Sequence, residues 1–147
     1  MTEKHLVVGS NVIEKDGEFL LVKEGKEAVK GIWNLPAGTM EDNENPVQTA
    51  EREAREEAGL DVEPQRLLGV FIDGADTTDS MVANFAFRSA VESPEPEVPE
   101  EESVVEYGWF SLEEIRGLEL RAPYIIEALQ RHVNEGGYPL KTVKDLA

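Results

Sequence analysis

Cysteine is absent from the 147-residue chain, which excludes disulfide bonds and thiolate metal sites and agrees with a reducing compartment. Basic residues are scarce. Lys and Arg number 14 against 31 Asp and Glu, a net charge of −17, and that balance excludes a general surface for nucleic acid polymers, which needs clustered cations. Only two histidines occur, and neither His5 nor His132 has a neighbouring Ser or Cys constellation suited to nucleophilic catalysis. No apolar run reaches the length of a membrane span, and the opening MTEKHLVVGS lacks the apolar core and cleavage pattern of a signal peptide. A cytoplasmic protein that does not enter membranes is expected. Internal repeats are also missing, and no break in composition divides the chain. Residues 1–147 therefore read as one domain, long enough to bury a sizeable core.

The acid is patterned. Gly38 to Leu60 reads GTMEDNENPVQTAEREAREEAGL. Asn45 is a helix cap, Pro46 a first helical residue whose missing N–H costs nothing there, and Gln48 the third position of a capping box. Val47, Ala50, Ala54 and Ala58 recur at helical intervals as a stripe of small apolar side chains, so the helix can lie close against a sheet. Gly59 supplies the stop. Glu53, Glu56 and Glu57 project from a neighbouring face at separations of three and four residues, which brings their carboxylates towards one spot.

Such a cluster raises its own pKa values and weakens an exposed helix unless cations relieve it. Carboxylate oxygens are hard ligands suited to Mg²⁺, or Mn²⁺ in its place, and Mg²⁺ commonly combines a few protein carboxylates with waters and substrate phosphate oxygens. Glu53, Glu56 and Glu57 are accordingly the expected catalytic carboxylates and metal ligands, and a small phosphate-bearing substrate follows. Glu53 stands either as a ligand or as the group that orients or deprotonates the attacking water. Arg52 is placed to pair with Glu44 and hold the loop to the helix, supporting the ligands. The competing reading, a solvated acidic face, requires neither Gly38 nor Gly59 at this spacing.

Gly38, Glu44, Arg52, Glu53, Glu56, Glu57 and Gly59, with the aliphatic Ala54 and Leu60, resemble the box of the Nudix hydrolases at every fixed position. GIWNLPAG (Gly31 to Gly38) and YGWFSLEEI (Tyr107 to Ile115) resemble the strand entering that box and the late strand-to-helix turn of the same fold. The resemblance implies an α/β (α+β) fold, an α/β/α sandwich whose mixed central sheet is flanked by helices. It also implies metal-dependent hydrolysis of a phosphoanhydride, with the Gly38 carbonyl as an additional metal ligand. In related sequences another carboxylate before the Trp109 strand joins the site as a base. Glu101, Glu102 and Glu106 are candidates here, but the usual position holds Ser103. RAPYIIEALQRHVNEGGYPL (Arg121 to Leu140) further resembles the NudJ-type phosphatase subgroup, which implies a nucleoside tri- or diphosphate, or a thiamine-type pyrimidine diphosphate, as substrate. ADP-ribose or oxidised-nucleotide pyrophosphohydrolysis is the alternative. Ala75 and Asp76 stand where ADP-ribose subtypes tend to place Pro and dinucleoside polyphosphate subtypes Tyr. A nucleotide-binding regulatory module and an acidic interaction protein are the non-enzyme alternatives. The state is expected to be a monomer or homodimer.

Elsewhere the chain alternates between strand and helix. His5 to Glu14 and Glu18 to Lys23 read as a hairpin about Asp16-Gly17. Gly31 to Pro36 reads as a short strand and Ala37 to Asn45 as loop. Arg66 to Asp73, Met81 to Val91 and Val104 to Phe110 read as strands, Ser111 caps a short helix, and Pro123 to Glu135 forms an amphipathic helix. ESPEPEVPEEE, Glu92 to Glu102, reads as a mobile, solvated connector. Trp33, Phe85 and Phe87 offer aromatic faces for a base, against the commoner role of core packing. Arg88, Arg121 and the cations from Lys23 to Lys30 are available for terminal phosphates. Specificity is expected to lie outside the box, in the Asp73 to Ser80 loop, the acidic connector and the Arg121 to Leu140 tail.

Overall fold

A computed structural model describes residues 5–74, 81–99 and 103–147. Five strands precede the first helix: β1 (Leu6–Val12), β2 (Glu14–Lys15), β3 (Glu18–Glu24), β4 (Trp33–Asn34) and β5 (Ala37–Thr39). Helix α1 (Pro46–Ala58) is followed by β6 (Val62–Gly74), β7 (Met81–Val91), β8 (Val104–Phe110), α2 (Leu112–Ile115), α3 (Tyr124–Asn134) and β9 (Tyr138–Pro139). The central sheet has the order β5-β1-β7-β6-β9. It is mixed, because β1 runs parallel to β7 while its other neighbours are antiparallel.

Helices cover both faces of this sheet. Ala86 and Leu68 pack with Ile125, Ala128 and Leu129 of α3, whereas Phe87 and Leu67 pack with Ala50 of α1. Successive strand residues point to opposite faces, so each pair divides between the two helices. The α/β/α layering expected from the resemblance is therefore present. A second, four-stranded sheet joins it: β3 pairs with β2, β4 and β8. Its inner residues Leu20, Val22 and Val104, with Ile13 just before β2, close over Ala54 and Ala58 of α1.

Several boundaries differ from the sequence reading for identifiable reasons. The hairpin turn is as expected, with φ of 52° at Asp16 and 82° at Gly17, the positive values that a two-residue turn requires. Ala37 to Thr39, expected as loop, is strand β5, pairing Ala37 with Ser10 and Gly38 with Gly9. The Pro36 carbonyl accepts 3.0 Å hydrogen bonds from both the backbone N–H and the side-chain amide of Asn11, which steers the chain onto β1. β6 starts earlier than expected, at Val62, and β9, which pairs Pro139 and Tyr138 with Arg66 and Leu67, was not anticipated. The acidic connector is docked rather than free over its described part. Pro96 is buried, and the Glu97 N–H donates to the Ala58 carbonyl at 2.8 Å. Glu101, Glu102 and the Ala75 to Ser80 segment lie outside the described residues.

Candidate active site

α1 is built as the sequence dictates. The Asn45 side chain accepts from the Gln48 N–H at 2.9 Å while the Gln48 side chain accepts from the Asn45 N–H at 2.9 Å. These bonds satisfy two N–H groups that the helix start would otherwise leave open. Thr49, Ala50, Ala54 and Ala58 are its buried residues. A Cβ on Gly9 of β1 would stand 2.6 Å from the Pro46 carbonyl oxygen and 2.8 Å from the Ala50 nitrogen. The helix consequently lies directly on the β1 backbone, which brings its Glu face to β5.

There the carboxylates meet main chain. The Glu57 carboxylate accepts the Ala37 N–H at 2.8 Å, and a Cβ on Gly38 would fall 2.1 Å from the Glu53 carboxyl carbon. Any larger residue at Gly38 would displace the Glu53 carboxyl from this position. Burial pushes the Glu57 carboxyl well above the ordinary carboxylate pKa. The Ala37 N–H opposes that shift, and the charges of Glu53 and Glu24 reinforce it. Burial likewise raises Glu53, with Arg52 opposing. Two acids held this way bind cations in preference to being bare anions.

Arg52 is the hub. It donates to Glu44 through Nε at 3.1 Å and Nη2 at 2.9 Å, and to Glu53 and Glu56 through Nη1 at 2.7 and 3.0 Å. A further bond from Nη2 reaches the Thr39 carbonyl at 3.0 Å. The Arg52–Glu44 pair is thus a two-pronged bridge between loop and helix, with only 21% and 14% of the side chains exposed. The Arg52 hydrogen bonds hold the Glu44 carboxyl down at a pKa of about 2. Glu56 is different, with 58% of its side chain exposed. With these protein partners in place, no three Asp, Glu, His or Cys side chains among the described residues are gathered in a metal-ligand arrangement. The donor set itself fits a hard divalent ion: carboxylate oxygens that burial disfavours as bare anions, beside the open Gly38 backbone.

The second sheet adds groups that sequence spacing did not reveal. Glu24, at the end of β3, is buried, and its Oε1 accepts from the Asn34 amide at 3.1 Å. Its charge reaches Glu57, and the charge of the exposed Lys26 reaches both Glu53 and Glu57. The pairing of β3 with β4 makes this arrangement, and a buried Glu closing an apolar run, FLLVKE, is the signal that would have found it.

Other candidates are sorted by burial. Phe87 is 0% exposed and belongs to the core beneath α1, so it is not a stacking surface. Phe85 packs against the same cluster. Trp33 meets Phe110 edge-on at 5.0 Å, with Lys23 Nζ 5.6 Å from its ring. Arg88 is exposed, as is Glu106, which stands opposite Lys23 in the β3–β8 ladder. His132 Nε2 lies 2.9 Å from Glu14, and its ring meets Phe19 edge-on.

A cavity of about 680 Å³ lies beside β5, its lining including Ala37, Gly38 and Thr39 together with Asp73, Asn84, Arg121 and Tyr124. Its size matches a small organic ligand. Among the described residues no helix is long and apolar enough to cross a membrane.

Comparison with known proteins identifies the family. The family model described as NUDIX domain matches residues 3–131. Phosphatase NudJ of Escherichia coli strain K12 is 31% identical over 146 residues, covering 99% of this chain and 94% of that protein. A NUDIX hydrolase from Nitrosomonas europaea superposes with a TM-score of 0.87 at 29% identity, covering 97% of both chains. A MutT NUDIX hydrolase from Burkholderia pseudomallei gives 0.71 at 27% identity, covering 87% of this chain and 98% of that one. The chain belongs to the NUDIX family and is a Nudix hydrolase.

Proposed function

We propose that this protein uses a divalent cation, Mg²⁺ or Mn²⁺, to hydrolyse a phosphoanhydride bond in a nucleoside tri- or diphosphate or a related small organic diphosphate. The observation that carries this reading is the pressing of Glu53 and Glu57 against the backbone of Ala37 and Gly38, two residues that also line the 680 Å³ cavity. The likeness to a relative named as a phosphatase supports it.

Glu53, Glu56, Glu57 and the Gly38 carbonyl would hold the metal. When bound, it would neutralise phosphate charge and lower the pKa of a bound water. The chain's own residues prepare that chemistry. The Ala37 N–H fixes Glu57, and Arg52, anchored by Glu44 and the Thr39 carbonyl, fixes Glu53 and Glu56. Positions are set before substrate arrives, so little reorganisation remains for the reaction. The cavity takes the organic part of the substrate and excludes water from one side of it. Glu53 serves either as ligand or as acceptor of the water proton. In Glu53→Gln, loss of metal affinity marks the first role, and loss of kcat at saturating metal marks the second.

The test is turnover by purified protein with Mg²⁺ or Mn²⁺ on nucleoside tri- and diphosphates, ADP-ribose and a pyrimidine diphosphate, with the products identified. Orthophosphate from nucleoside phosphates is the expected result. Nucleoside monophosphate from ADP-ribose alone would replace this substrate class. Absence of cleavage of any phosphoanhydride would leave a binding module.

A further inference from the structure

Asn84 lies on the wall of the cavity and is only 3% exposed. Its side-chain amide donates to the Phe71 carbonyl at 3.0 Å and to Asp73 Oδ2 at 3.4 Å. Both partners are acceptors only, and the reversed amide would set oxygen against oxygen at each contact, so the orientation is chemically determined. Oδ1 has no hydrogen-bond partner among the described residues. The unpartnered side-chain atoms sealed from solvent are Asn34 Oδ1 and His132 Nδ1. Asn84 Oδ1 is not one of them and opens on the cavity.

Neighbouring polar groups are already engaged. Asn34, the other cavity asparagine, donates one amide hydrogen to Glu24, and its Oδ1 is sealed from solvent. The hydroxyl of Tyr124 is engaged with Ser10 and stays protonated, its pKa pushed up to about 12 by burial. The Asp73 carboxylate stands beside Asn84 as a second acceptor, and Leu6, Val8, Val82 and Pro123 provide apolar flanks. Arg121, the cation of the described lining, is engaged with a partner of its own, so Asn84 Oδ1 and the Asp73 carboxylate are acceptors beside apolar flanks and favour a ligand that brings donors. A ligand that brings an N–H satisfies Oδ1, whereas one that brings an oxo group leaves it unpaired and faces it lone pair to lone pair.

We infer that Asn84 is a specificity-determining residue whose Oδ1 accepts a hydrogen bond from the exocyclic amino group of the substrate's heterocycle, selecting amino-substituted over oxo-substituted rings. This rests on the reading above for the claim that the cavity holds the organic part of a phosphoanhydride substrate. The experiment uses matched pairs differing only in that group. With Mg²⁺, kcat/KM is measured for CTP against UTP and for ATP against ITP. Dissociation constants are measured for the non-cleavable α,β-methylene analogues of CDP and UDP. The amino member is expected to be favoured about tenfold or more in both readouts, the scale of leaving one buried acceptor unpaired. Asn84→Ala is expected to abolish the preference while it melts cooperatively. Equal treatment of the pairs by wild-type protein would overturn the inference without any variant having to fold, and so would a preference retained in Asn84→Ala. The two readouts separate the claims. Turnover without preference sinks the inference and leaves the hydrolase reading, whereas preference in binding without turnover sinks the hydrolase reading alone.

Discussion

Glu57 is held between opposing demands: the proposed function requires its anion, and burial resists it. Because its folded pKa lies above the unfolded value, the bare anion destabilises the fold at neutral pH, and that penalty fades as pH falls towards 4.5. The metal-free protein is therefore expected to become more stable on mild acidification, read as melting temperature in chelator. Glu57→Gln keeps an oxygen for the Ala37 N–H but removes the charge, so it should melt higher than wild type at neutral pH and lose that gain. Glu44 has the opposite sign. Its folded pKa of about 2 lies below the ordinary value of 4.5, so its stabilisation is full above 4.5 and is lost as pH falls towards 2. Gly38→Ala places a methyl against the Glu53 carboxyl, which sits at the free end of a side chain and can swing away. A small change in melting temperature with a loss of kcat of about tenfold or more is expected. Arg52, Glu53, Glu56 and Glu57 were legible because a helix turns spacing into proximity. Glu24 and Asn34 were not, since they meet through strand pairing that no local spacing encodes.

Among the elements, α1 was readable to the residue, from cap to stop. Asn45 caps it as expected, and Gly59 ends it at a φ of 66°. Asn45→Ala removes the bond to Gln48 and the 2.9 Å contact to Asp145, and should cost about 1 kcal/mol in denaturant unfolding. The short strands β5 and β9 were illegible because two or three residues carry no period. β5 depends on Asn11 donating to the Pro36 carbonyl, and β9 on Arg66 donating 2.7 Å bonds to the Gly136 and Gly137 carbonyls. The acidic connector looked free because its composition is that of a loop, yet one backbone bond and the buried Pro96 dock it on the end of α1. Arg52 ties helix to loop. In Arg52→Lys a point charge replaces the planar fork, so Glu44 and Glu53 can no longer both be held. A weakened apparent Mg²⁺ affinity, measured by titrating turnover, is the expected outcome.

At the scale of the whole molecule, alternating strand and helix signals gave the α/β class. The second sheet escaped because β3 and β8 are joined only through long-range pairing. A net charge of −17 makes self-repulsion a global term, screened over about 10 Å at 0.1 M salt. The melting temperature should therefore rise as monovalent salt is raised from low ionic strength. The same field opposes an anionic substrate, and in the proposed function cations bound at the box carboxylates offset it. The most direct measurement of that claim is kcat for a nucleoside diphosphate at saturating Mg²⁺ in wild type and Glu57→Gln, both shown folded by thermal melting. A fall of about a hundredfold or more, with the cooperative melt retained, is the expected result. Near-wild-type turnover by the folded variant would contradict it.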